Sequence, residues 1–168
     1  TYNAQSPFGH REVGVVGSAL LLDGYTCEII CDCIHVSVPA LKLLVKNKPH
    51  DKVVCITDAM RAKNMGDCVS ELGGQTVYVK GGEARLADGT LAGSVLTMNR
   101  AVKNMVERVG VSLCEASDFA SANPAKNLGI YNERGGIAVG KRADFAVLDK
   151  NDFSVIMTVR GGKIVYKK

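Results

Sequence analysis

Between Tyr25 and Met60 the chain alternates in a way few folds accommodate. An apolar, β-branched run, Tyr-Thr-Cys-Glu-Ile-Ile-Cys-Asp-Cys-Ile-His-Val, starts at Tyr25, and a second, Val-Val-Cys-Ile-Thr-Asp-Ala-Met, starts at Val53. Between them lies a helical pattern with Pro39 in its first turn and Leu41, Leu44 and Val45 on one face, closed by Asn47 and Pro49. Two buried strands joined through a helix are predicted to pair in parallel, because the crossover is too long for a hairpin and carries its own apolar face. This predicts an α/β sheet covered by helices. Such sheets collect their functional groups at the carboxyl ends of the strands, and there the reading places His35 and Asp58.

The rest of the chain changes texture. From about residue 69 to 94, Val77 and Val79 alternate with polar residues, and Gly81-Gly82, Asp88-Gly89 and Gly93 read as turns, so a β excursion is expected. Helical spacing returns from Val95 through Leu96, Met98, Val102, Met105, Val106 and Val109, with Gly110 as the stop. Ser112 to Glu115 has the spacing of a capping box, opening a helix expected to end before Asn123-Pro124. From Gly135 to Lys168 the pattern is β again, with turns at Lys150-Asn151 and Gly161-Gly162. A parallel βα segment and an antiparallel tail predict a barrel fragment with part of a small β domain. A complete (β/α)₈ barrel takes about 250 residues, so the alternatives are a small α/β sheet or one end of a larger enzyme.

Composition removes several function classes. With 46% hydrophobic and 23% charged residues among 168, the chain has enough apolar surface to fold, which excludes a disordered tail. The formal charge of +4 comes with no basic run, so nucleic acid is not an expected partner, whereas an anionic small substrate stays open. Val13 to Leu22 falls short of the ~20 residues of a membrane span, and the first residues resemble no secretory leader. Cys31, Cys33 and Cys55, three of six cysteines, lie in strand-like runs, where reduced thiols behave as small hydrophobes. A reducing cytoplasm is the expected compartment.

A carboxylate following Val53-Val54-Cys55-Ile56 cannot stay in the apolar layer without a partner, so Asp58 should emerge at the strand end, as a catalytic group, a helix cap or a salt-bridge partner. His35 occupies the same kind of place one strand earlier, and a reacting atom could sit between the two. Cys31, Cys33 and His35 alternate and would share a strand face, raising a thiolate and imidazole metal site. Buried thiols are the favoured reading, because structural zinc sites draw on turns with C-x-x-C spacing. Arg11, in a glycine-bounded loop, could fork onto a phosphate, but on spacing alone a solvated arginine is the favoured reading. No phosphate-cradling glycine motif is present.

Several motifs nevertheless occur together. They are Tyr2-Asn3-Ala4-x-Ser6-Pro7, His10-Arg11-Glu12-x-Gly14, Cys31-Asp32-x-Ile34-His35-Val36, Thr57-Asp58-Ala59-Met60, Asp88-Gly89-Thr90-Leu91-Ala92-Gly93-Ser94, Leu96-Thr97-Met98, Asn123-Pro124-Ala125-x-x-Leu128-Gly129, and a closing G-x-I-x-x-G-K-x-A-D from Gly135 to Asp144. In that order they resemble the carboxyl-terminal part of the N-acetylglucosamine-6-phosphate deacetylases, metal-dependent members of the amidohydrolase superfamily. The resemblance implies part of an amidohydrolase (β/α)₈ barrel over residues 1–128 and the last strands of a small β-sandwich over residues 129–168. It implies hydrolysis of the N-acetyl group of N-acetylglucosamine 6-phosphate to glucosamine 6-phosphate and acetate. Asp58 matches the carboxylate that takes a proton from the activated water and returns one to the departing amine. Substrate contacts are implied for Asn3, Ala4, Asp32, His35, Leu91, Ala92 and Gly93, and a phosphate contact for Arg11, supplied across a homodimer interface.

Two departures stand out: Cys33 occupies a position usually glycine in the family, and Val13 one that is commonly proline. The resemblance places the ligands of a divalent metal, zinc or iron, on earlier strands, the last of them just before Thr1. The chain by itself is therefore expected to hold no metal and to be inactive without a further amino-terminal segment or chain. The rival expectations are a truncated, non-catalytic barrel module that binds a sugar phosphate or a partner chain, and a different amidohydrolase, which the Tyr-Asn-Ala and His-Arg-Glu-x-Gly motifs disfavour.

Overall fold

The computed structural model describes all residues from Thr1 to Lys168. Strands β1 (Cys27–Ile30) and β2 (Val53–Ile56) are parallel and in register, with Cys27 opposite Val53 and Ile30 opposite Ile56. The crossover is α2 (Val38–Asn47), which takes Pro39 in its first turn, where the missing N–H would have had no helical partner. Its Leu41 and Leu44 are fully buried, each contributing roughly 1.5–3 kcal/mol. Helix α1 (Gly14–Leu21) precedes β1. The ammonium of Lys48, just past α2, donates to the carbonyls of Ala19 and Leu22 at 3.0 and 2.8 Å, satisfying acceptors that the end of α1 leaves open and complementing its dipole.

The expected β excursion is an antiparallel meander of β3 (Cys68–Leu72), β4 (Gln75–Lys80), β5 (Glu83–Arg85) and β6 (Leu91–Gly93). Val77 and Val79 turn inward with Met60, Ala62 and Ala84 to form a small core of their own. The Asp88 carboxylate accepts the Thr90 amide at 2.9 Å, and Gly89 takes a positive φ, which shapes the β5–β6 turn. At its far end β6 returns to the parallel sheet: Ala59 and Ser94 form a parallel bridge, with the Met60 amide donating to the Ser94 carbonyl at 2.9 Å.

Helix α3 (Met98–Asn104) starts later than the apolar spacing from Val95 predicts, because the Ser94 hydroxyl accepts the Leu96 amide and Thr97 is extended. A wider i→i+5 turn, Met105–Val109, follows, and Gly110 stops it at φ +90°. Helix α4 (Leu113–Ser117) opens with the predicted capping box, Ser112 and Glu115 each bonding the other's amide. The expected stop before Asn123-Pro124 does not occur. A second i→i+5 turn, Asp118–Ala122, leads straight into α5 (Asn123–Asn127). Opening the ladder just ahead of Pro124 relieves the clash its ring would make with a carbonyl one turn back.

The tail forms an antiparallel sheet of β7 (Phe145–Leu148), β8 (Val155–Arg160) and β9 (Lys163–Lys167). Its first strand begins at Phe145 and not near Ile137 as the pattern suggests. Residues 137–144 are irregular, with a turn at Val139-Gly140 and with Ile137 and Val139 at least nine-tenths exposed. Phe153, in the β7–β8 turn, is buried in the main core beside Ile29, Leu41, Leu44, Val53, Met105 and Phe119, and its carbonyl accepts Asn99 Nδ2 at 2.9 Å. The architecture is mixed α/β: one parallel pair with its helices, and two small antiparallel sheets.

Candidate active site at the parallel strand ends

β1 ends at Ile30, sooner than the apolar pattern predicts, and Asp32 is the reason. Its Oδ1 accepts the amides of Ile34 and His35 at 2.9 and 3.0 Å, and its Oδ2 lies 2.6 Å from His35 Nδ1. A short side chain that captures local amides competes directly with the sheet ladder. Cys31, Cys33 and His35 therefore do not alternate along one strand face, and the thiolate and imidazole metal site raised from their spacing is not formed. The Cys31 thiol instead points at Cys55 on β2, Sγ to Sγ 3.3 Å. That contact and burial push its pKa well up, which keeps it a thiol. Cys33 sits at φ +64°, a left-handed conformation that glycine would adopt without strain. Burial raises the pKa of the Cys33 thiol, with the Arg108 charge opposing.

Asp32 and His35 are only 7% and 8% exposed at their side chains. Asp58 differs. It lies two residues past the end of β2, as Asp32 does past β1, so the in-register pairing sets both at the same edge of the sheet. Its φ is +46°, an uncommon conformation for a residue other than glycine that aspartate tolerates better than most. The side chain is exposed and makes no hydrogen bond or ion pair within the chain. One position on, Ala59 pairs with Ser94, which brings the end of β6, Leu91 to Gly93, beside Asp58. A Cβ at Gly93 would approach Leu72 Cδ2 to 3.2 Å and Met60 Sδ to 3.4 Å, so an alanine there would need those two side-chain tips to give by a few tenths of an ångström.

Asn3 and Ala4 occupy an exposed turn, with Ala4 at φ +56°. Tyr2 anchors it: its phenol donates to the Ala40 carbonyl on α2 at 3.1 Å, and burial raises its pKa. Arg11 is exposed in the following loop and has no acidic partner. Gly14 at φ +62° closes that loop where a Cβ would stand 2.3 Å from the Pro7 carbonyl oxygen. Asn104, not singled out from sequence, donates from Nδ2 to the Cys31 carbonyl at 2.9 Å and ties α3 to the end of β1. Its signal was an asparagine three residues from Ala101 on an apolar helix face, a place where a polar side chain needs a partner.

No three His, Cys, Asp or Glu side chains converge closely enough to hold a metal ion. A cleft of about 780 Å³ lies elsewhere, lined by Lys63, Asn64, Arg100, Ser154 and Tyr166 among others, and includes none of the candidate residues. The titratable candidates Asp32, His35 and Asp58 gather instead at the ends of the parallel strands. A second cleft, about 610 Å³, runs past Gln5, Ser6 and Gly14 beside the Asn3 turn.

Residues 3–165 match the amidohydrolase family. The chain belongs to that family. This amidohydrolase is 46% identical over 165 residues to an N-acetylglucosamine-6-phosphate deacetylase of Bacillus subtilis, covering 98% of the present chain and 41% of the relative. It is 42% identical over 148 residues to a putative N-acetylgalactosamine-6-phosphate deacetylase of Escherichia coli K12, 88% of each chain. Among solved structures it resembles the N-acetylglucosamine-6-phosphate deacetylase of Thermotoga maritima, with TM-score 0.88 and 42% identity over 97% of this chain and 44% of that one. The amidohydrolase chain thus spans about two fifths of the length of its Bacillus relative.

Proposed function

We propose that residues 1–128 are the carboxyl-terminal part of a (β/α)₈ barrel and residues 129–168 the closing strands of a small β-sandwich, within a cytoplasmic enzyme that deacetylates N-acetylglucosamine 6-phosphate. The observation that carries this is the in-register parallel pair holding Asp58, unpartnered and exposed, level with the Asp32–His35 pair. The names of the relatives supply the substrate class. Water adds to the amide carbon while Asp58 accepts its proton, and Asp58 returns a proton to nitrogen as the C–N bond breaks, giving the amine and acetate. His35 holds the sugar. Asn3, Ala4 and Leu91 to Gly93 border it, and Arg11, with a free guanidinium, takes the phosphate across a homodimer interface.

The family reading also calls for a divalent cation, zinc or iron. Residues 1–168 do not fit one by themselves, since no ligand group converges, so turnover is expected of the assembled enzyme that carries these residues and not of this segment alone.

The test is acetate release by the assembled enzyme. Asp58→Asn keeps the size of the side chain but cannot accept a proton, and should lower kcat by about 10²-fold or more. Arg11→Ala should weaken use of the phosphorylated sugar and leave N-acetylglucosamine itself little affected. An Asp58→Asn enzyme that kept more than about a tenth of its turnover would remove Asp58 from the chemistry. The E. coli relative favours a second substrate, the galactose epimer, and kcat/KM for both epimers decides between them. Binding of either sugar phosphate without acetate release would support the non-catalytic module.

A further inference from the structure

We propose that the cleft of about 780 Å³, away from the strand ends, is a second ligand site that takes a small phosphorylated, hydroxyl-bearing molecule. Its volume is that of small-molecule pockets, roughly 300–1,000 Å³, but its lining is unusually polar, with Lys63, Thr97, Arg100, Ser154 and Tyr166 among the residues that form it. The lysine and arginine ion pairs of the chain belong to Lys52, Arg61, Arg85, Lys103, Arg134 and Arg142, so both Lys63 and Arg100 are unpaired. Asp67 is the one carboxylate side chain in the lining, and its Oδ1 already accepts the Gly81 amide at 2.9 Å. Two free cations in a concave wall attract an anion, and a phosphate monoester brings a charge of about −1.5 to −2 at neutral pH.

The fold holds these groups in place. Ala62 is buried in the core of the meander, and two successive turn bonds fix Lys63 beside it: the Lys63 amide donates to the Met60 carbonyl and the Met65 amide to the Ala62 carbonyl, both at 3.1 Å. Arg100 leaves α3 next to the fully buried Ala101. Its guanidinium reaches the β4–β5 turn, where Nη1 and Nη2 would lie 3.8 and 3.9 Å from a Cβ at Gly82. Asn99 carries the wall across to the tail through its bond to the Phe153 carbonyl, one residue before Ser154. A guanidinium and an ammonium suit phosphate oxygens. The hydroxyls of Thr97, Ser154 and Tyr166 suit a ligand whose own hydroxyls both donate and accept. None of these residues belongs to the candidate active site, so the proposal stands independently of the deacetylase reading.

The test is acetylation of lysines by an N-hydroxysuccinimide ester in the assembled enzyme, read residue by residue by mass spectrometry at constant ionic strength. Without ligand, Lys63 should react at a rate comparable with Lys42 and Lys46, which are exposed on α2. A Lys63 shielded before any ligand is added would show that the rest of the enzyme covers the cleft, and would overturn the proposal. Glucose 6-phosphate should protect Lys63 and leave Lys42 and Lys46 unchanged, glucose should protect none of them, and inorganic phosphate should need about tenfold more for the same protection. Arg100→Gln, an exposed substitution, should raise the half-protecting concentration about tenfold or more. Arg11→Ala should not move it, which separates this site from the phosphate contact assigned to the substrate. Protection by glucose alone, protection shared by all exposed lysines, or its loss in Arg11→Ala refutes the second site. Equal potency of inorganic phosphate refutes the hydroxyl-bearing ligand, and full protection in a folded Arg100→Gln enzyme refutes the role of the guanidinium. Should that variant not fold, the wild-type result at Lys63 decides by itself.

Discussion

Asn123 opens α5 with a side chain only 1% exposed as a residue, and its Nδ2 donates to the carbonyls of His50 and Val53 at 2.8 and 2.9 Å. It thereby fastens the helix to the start of β2, the strand that carries Asp58. Oδ1 is buried without a partner. Asn123→Ala removes two hydrogen bonds worth about 1 kcal/mol each and leaves two carbonyls short of a donor, for about 1–2 kcal/mol more; relief of the orphaned oxygen returns about 1 kcal/mol. The net expectation is a loss of about 2–3 kcal/mol. Asn123→Asp fills the same volume but faces two carbonyl oxygens with acceptors alone, so it should cost more than the alanine, on the order of 4 kcal/mol. Urea denaturation followed by far-ultraviolet circular dichroism measures both, read as midpoint shifts at constant slope. The ordering is the sharp part. If aspartate were tolerated as well as alanine, the two hydrogen bonds to the His50 and Val53 carbonyls would not be holding the helix and the latch described here would not exist.

Two further outcomes are expected. At Cys33, with φ +64°, Cys33→Gly should change stability by less than about 1 kcal/mol, because relief of left-handed strain is offset by glycine's greater chain entropy; Cys33→Val should lose about 1–2 kcal/mol, and equal melting temperatures for the two would discount the strain. Asp144 is held below the usual carboxylate range by the Gly161 amide and the Arg142, Arg134 and Arg160 charges, so its contribution is present above the unfolded value near 4 and fades as pH falls through the folded one. Asp144→Asn should therefore flatten the acid limb of the melting profile between about pH 5 and pH 2, and an unaltered limb would show that the contact is not felt.

The parallel pair was legible because strand, helix and strand each carried an unambiguous period: Leu41 and Leu44 spaced for one helix face, Pro39 at a first turn, and continuous apolar runs on either side. The capping box at Ser112 and the inward valines of β4 were legible for the same local reason. What pattern could not show is where β1 stops. Cys31, Cys33, Ile34 and Val36 prolong the apolar signal, and the stop is made by three hydrogen bonds of one carboxylate, which leave no periodic trace. Pro124 misled in the opposite sense. It forbids an ordinary helix turn ahead of it but not a wider one, and the chain uses the wider one. Residues 137–139 look like strand by composition, yet nothing packs on them in this chain.

The motif residues divide by whether the fold itself accounts for them. Gly14 is required by the Pro7 carbonyl, Asp88 by its turn, Asn123 by the start of β2, and Asp144 by the Gly161 amide. Each would recur in any chain built this way, whatever its activity, so their presence argues for the architecture alone. Asp58 and Arg11 are different: both are exposed, neither has a partner within the chain, and Asp58 also holds an uncommon backbone conformation. His35 stands between the groups, one nitrogen committed to Asp32 and the other uncommitted. A carboxylate, an imidazole and a guanidinium are what remains once structural duties are subtracted. The fold sets two of the three at neighbouring strand ends.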